Sequence, residues 1–119
     1  MIALKEVSIV PVPVKEKLRA VVSDLGSQAR VASVLGVSRS RVSRWLRTEQ
    51  PDPDNRRKVE GLEFVLTRLL ELYDPENAVE WLLGHNPFLR GARPIDRIAQ
   101  GRITEVLGAI DAEQALSYA

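Results

Sequence analysis

Residues 28–46, QARVASVLGVSRSRVSRWL, decide how this chain folds. Apolar Val31, Ala32 and Leu35 recur at helical spacing, and Val42, Trp45 and Leu46 resume the pattern after a break. Gly36 stands in the break, where a sharp turn makes a Cβ costly. Ala32 precedes it by four residues, where two helices pass closest and only a small side chain fits. Ser38 is a good N-cap for the second helix. That helix shows Arg39, Ser40, Arg41, Ser43 and Arg44 on its outside and Arg47 at its end, with no acid among them. The pattern predicts a helix-turn-helix whose second helix can enter a major groove. The plainer alternative is any two packed helices with a solvated basic surface.

Outward from this stretch the chain reads as all-α, an N-terminal helix-turn-helix followed by a small helical domain. Upstream, Leu18, Val21, Val22 and Leu25 make the stripe of a helix over Val14–Leu25, stopped by Gly26, and Ser27 caps the next helix. The outward Lys15, Lys17 and Arg19 suit phosphate contact or plain solubilisation equally. Residues 1–13 alternate loosely before two prolines and fit an exchanged strand, an arm or disorder. Residues 14–48 form the expected DNA-binding domain. Residues 49–55, EQPDPDN, are a stiff acidic linker in which Asp52 or Asp54 caps the helix after it.

Residues 56–119 are expected to form the second domain. Its longest helix, over residues 55–73, carries Val59, Leu62, Leu66, Leu69, Leu70 and Tyr73 on one face. Phe64 falls on the polar face, either beneath the helix-turn-helix or in a protein interface. Asp74-Pro75-Glu76 opens a helix running to Leu83, with Ala78, Trp81 and Leu82 inward. His85-Asn86-Pro87 is a turn, packed back by Phe88 and Leu89. A short helix over Pro94–Ala99 precedes a last one carrying Ile103, Val106, Leu107 and Ile110. The tail, residues 111–119, is expected to fray, with Leu116 and Tyr118 exposed.

Composition narrows the function classes. The 119 residues are 45% hydrophobic but only 5% aromatic, so the core must be aliphatic. Without cysteine, and with the lone His85, the sequence offers no thiolate site, histidine metal cluster or nucleophile–base set. Nothing here reads as an enzyme, and no cofactor is implied. No apolar run reaches the roughly 18 residues of a membrane span, and a cytoplasmic location is expected. Net charge is +1, but its distribution is uneven. Bases dominate residues 15–48 and acids dominate residues 49–82, which suggests two surfaces with different partners.

Over about twenty residues the helix-turn-helix resembles the Xre/Cro repressor class. The second half has a signature of its own: Trp81-Leu82, Asn86-Pro87, Leu89, Gly91, Pro94-Ile95, Gly101, Val106 and Leu107. In order and spacing it resembles the toxin-binding domain of MbcA/ParS/Xre antitoxins. The resemblance implies an antitoxin that silences a RES-domain, NAD-consuming toxin by covering its active site, and that represses the shared promoter. It implies a homodimer within a larger toxin–antitoxin assembly. The DNA-binding residues expected are Gln28, Ser38, Arg39, Ser40, Arg41, Ser43, Arg44 and Arg47. The toxin-binding residues expected are Phe64, Asn86, Pro87, Phe88, Arg90, Arg93, Leu116 and Tyr118. Two rivals are a stand-alone regulator whose second half only dimerises and a partner-binding module with a vestigial helix-turn-helix.

Overall fold

A computed structural model describes residues 12–117; the expected arm or strand lies outside them up to residue 11, as does Tyr118. Among the described residues seven α-helices succeed one another: α1 (Val14–Leu25), α2 (Gln28–Leu35), α3 (Arg39–Arg47), α4 (Pro53–Leu69), α5 (Pro75–Leu83), α6 (Pro94–Ala99) and α7 (Ile103–Leu116). A 3-10 turn, Pro87–Leu89, joins α5 to α6. The described residues contain no strand, so the all-α expectation holds.

Local chemistry explains the boundaries. Ser27, Ser38, Asp52 and Asp74 each cap a helix by accepting the N–H three residues on. Gly36 ends α2 with φ 72°, a left-handed conformation in which a side chain is strained. Two expected boundaries are corrected. The helix placed at 55–73 begins at Pro53, because Asp52 caps it and Pro53 takes the first position; it ends at Leu69, where the next N–H groups tighten onto Arg68 and Leu69. The tail does not fray from residue 111, since α7 continues to Leu116. Asp111 and Gln114 both accept from Arg68 on α4, which holds this last stretch down.

One aliphatic core links the elements. It contains Leu18 and Val21 of α1, Val31 and Leu35 of α2, Val42 and Trp45 of α3, Leu62 and Leu66 of α4, Leu82 of α5, Ile98 of α6 and Ile110 of α7. The helix α4 is its axis, packing most extensively against α1 and then α6. Gly61 makes the second approach possible: a Cβ there would sit 2.5 Å from Ile98 Cγ2 and 3.3 Å from Ile103 Cδ1.

Three basic side chains join the elements further by capping the carbonyl ends of helices. Lys15 reaches Arg47 O at 2.8 Å, Arg30 reaches Leu25 O at 2.9 Å and Lys58 reaches Leu35 O at 3.1 Å. Lys17 pairs with Glu60 at 3.7 Å and Arg19 with Glu16. Much of the basic front of the sequence therefore serves internal ties.

Candidate functional site

The helices α2 and α3 meet across the 36–38 turn, with Ala32 buried where they approach. Their outer side is an open groove of about 450 Å³ lined by Gln28, Arg39, Ser40, Ser43, Arg44 and Arg47. On α3 these lining positions fall at i, i+1, i+4, i+5 and i+8, which is one helical face. No acid lines the groove. Three arginines and three neutral donor–acceptor side chains suit a polyanion with patterned edges.

Two of the expected DNA-binding residues lie elsewhere. Ser38 spends its hydroxyl on the α3 cap, accepting from Arg41 N at 3.2 Å, with Ser40 Oγ 3.1 Å away. Arg41 turns to the other side of α3. Its guanidinium lies 5.1 Å from the Trp45 ring centroid and donates to Asp52 at 3.2 Å. The Asn55 side chain first, and the Arg41 charge in addition, hold the Asp52 carboxyl below the usual carboxylate range. Arg44 also meets a carboxylate, Glu49 at 3.3 Å, but keeps its place in the groove. Both arginine pairs lie at the surface, not inside the molecule.

The second candidate surface involves α4, the 85–93 turn and α7. Phe64 is 60% exposed, Phe88 44% and Leu116 62%. With that exposure Phe64 is not covered by the helix-turn-helix. It lines a shallow depression with Glu63, Thr67, Arg68 and Leu107. Pro87 and Arg90 are exposed on the turn, where Arg90 adopts φ 57°. Arg93 is half-buried and forks onto Asp96 with two bonds of 2.9 Å, an interaction that lowers the Asp96 pKa.

Asn86 differs from the other expected partner-binding residues because it faces inward. It is 4% exposed and accepts from Phe88 N at 2.8 Å, while its backbone receives the Leu89 and Gly91 N–H groups. It shapes the turn that presents Phe88 and leaves little of itself to touch. His85 closes the same turn from its exposed side, with Nδ1 2.8 Å from Gly91 O.

Sequence reasoning missed Glu113. Its carboxylate accepts from Trp81 Nε1 at 2.7 Å, from Asn86 Nδ2 at 3.4 Å and from the Tyr73 hydroxyl. One acid on α7 thereby gathers the chain after α4, the last turn of α5 and the 85–93 turn. The Tyr73 hydroxyl is pushed up to about 12, chiefly by that hydrogen bond. Trp81 is accordingly half-buried at this node, not fully inside. The available signal was indirect: each of the three donors was visible, but nothing in the local pattern around Glu113 marked it as their acceptor.

No family model matches the chain. A probable mycobacterial cidal antitoxin of Mycobacterium tuberculosis is 31% identical over 85 residues, covering 71% of this chain and 73% of that protein. A chain in the crystal structure of the M. tuberculosis MbcT–MbcA toxin–antitoxin complex superposes with a TM-score of 0.62 at 25% identity, covering 86% of this chain and 94% of its own length. The helical architecture and this kinship agree, and the chain belongs to the MbcA-type antitoxins.

Proposed function

We propose that this antitoxin binds and neutralises a cognate RES-domain, NAD-consuming toxin by occluding its active site, and that it represses its own operon through α2 and α3. Inhibition is steric: apolar side chains exclude NAD, and no catalytic group of the antitoxin takes part. Phe88 and Leu116, with Phe64, are the anchors proposed for the toxin. An aromatic anchor desolvated at an interface typically contributes about 2 kcal/mol or more.

On DNA, Arg39, Ser40, Ser43, Arg44 and Arg47 with Gln28 form the reading face, and Arg41 is removed from it. Arginine contacts to phosphate set position and salt dependence. An arginine forked onto a guanine adds about 1–3 kcal/mol of discrimination. One short helix reads few bases, so a homodimer on half-sites about one helical turn apart is proposed.

The observation that carries the proposal is that an acid-free arginine groove and exposed apolar side chains occur on different helices of one small antitoxin. Co-expression with the product of the adjacent gene tests the first half: a stable complex and rescue of growth are expected. The variant Phe88→Ala/Leu116→Ala should lose most of the rescue, and unimpaired rescue would remove those anchors. For the second half, Arg39→Ala/Arg44→Ala should abolish retardation of promoter DNA while leaving the thermal midpoint in place. Undiminished retardation would refute the assignment of the groove.

A further inference from the structure

We propose that Glu49 is a positioning residue that aims Arg44 at a guanine and so sets the sequence selectivity of α3; this rests on the DNA reading above. Both carboxylate oxygens of Glu49 lie 3.3 Å from Arg44 Nε. The acid thus occupies the Nε side of the guanidinium, and no bond within the described residues engages its terminal amino pair, while the residue itself lines the groove. That pair matches the O6 and N7 acceptors of guanine. An arginine held in this way loses less rotamer freedom when it binds.

Glu49 is itself held in place. Its N–H donates to Arg44 O at 3.0 Å, beside the Thr48 N–H at 2.9 Å, so the cap of α3 fixes the acid relative to the arginine it supports. Glu49 does not line the groove. Arg41 supplies the contrast: its acid takes a terminal nitrogen, Nη2, and it sits off the groove.

A carboxylate near DNA repels phosphate, so Glu49 should weaken binding to every sequence while favouring the correct one. Positioning and bulk charge are therefore separable. The test measures retardation of two equal-length duplexes, one carrying the promoter of this chain's own gene and one of random sequence. Glu49→Gln should tighten binding to the random duplex yet lower the promoter-to-random affinity ratio by about two- to fivefold, the range expected for an exposed ion pair. Asp54→Asn is the control for charge, because Asp54 is highly exposed and its ion pair, with Arg57, is a loose one at 3.8 Å; it should leave the ratio unchanged. In an Arg44→Ala background, Glu49→Gln should no longer move the ratio. An unchanged ratio for Glu49→Gln, or an equal fall without Arg44, overturns the proposal while the DNA reading stands. If the wild-type protein binds neither duplex, or both equally, the DNA reading falls and the proposal with it.

Discussion

The α2–α3 groove takes all its polar side chains from residues 28–47, whereas the Glu113 node joins side chains up to 40 positions apart. In the groove the arginines point outward, and two groove members, Arg39 and Arg47, meet no carboxylate among the described residues. At the node the polar groups satisfy one another, and the side chains left outside include the apolar Phe88 on the turn and Leu116 at the end of α7. The difference separates two ways of making a surface. A surface suited to a charged ligand keeps its cations at the rim, exposed and only loosely paired. An apolar partner is met by a rigid ledge, and the polar chemistry beneath it serves to hold the ledge still.

The sharpest way to break this contrast is to ask whether the two regions stand on one foundation. Leu18 is fully buried on α1, the helix that packs most extensively on the α4 axis. Leu18→Ala should cost about 2–5 kcal/mol through lost burial and a residual cavity. If the core is one unit, urea denaturation will shift to a lower midpoint in a single transition with an unchanged slope. Two separated transitions would mean that groove and ledge unfold independently.

A smaller effect should distinguish the regions. Glu113→Ala leaves the Trp81 indole, the Tyr73 hydroxyl and the Asn86 amide without their acceptor. Each orphaned donor should cost up to about 1 kcal/mol, the low end of the roughly 1–3 kcal/mol of a fully buried group, because water can reach the half-buried Tyr73 and Trp81. Tryptophan fluorescence should report the loss at Trp81, and neutralisation of the toxin should weaken as the 85–93 turn loosens. Retardation of promoter DNA should stay as in the wild type, because among the described residues no groove residue is hydrogen-bonded to the node. A joint loss of both activities would show that the node supports the whole chain and not one surface.

Legibility in the sequence divides in the same way. The bounds Val14–Leu25, Gln28–Leu35 and Pro94–Ala99 were readable because caps, glycines and prolines act within a few residues. The groove was readable because one helical face is a local pattern. Arg41 stands at i+2 on α3, off the face that its neighbours share, and Trp45 and the distant Asp52 hold it there. The extent of α7 was not readable, because its last turns are held by Arg68, Tyr73 and Trp81 and not by their own hydrophobicity. Asn86 is expected among the toxin-binding residues on the strength of the resemblance; its burial, with Glu113 far along the chain as one of its partners, is not a local pattern. The resemblance carried the family where residue patterns alone could not.

The finest test of the node uses pH. The Tyr73 phenol donates to Glu113, and this bond, then burial, then the Glu113 charge, push its ionisation from the ordinary 10 up to about 12. An unfolded chain releases that proton near 10, while the folded chain keeps it until about 12. The unfolded state therefore binds fewer protons in this window, and stability falls as pH rises through it. The contribution is fully present below pH 10 and lost as pH passes about 12. Tyr73→Phe should cost about 1 kcal/mol near neutrality, the worth of one hydrogen bond. Above pH 10 its urea midpoint should decline less steeply than that of the wild type, so the two curves converge. Parallel curves across the window would show that Tyr73 titrates freely, and the carboxylate at the node would then be held by Trp81 and Asn86 alone.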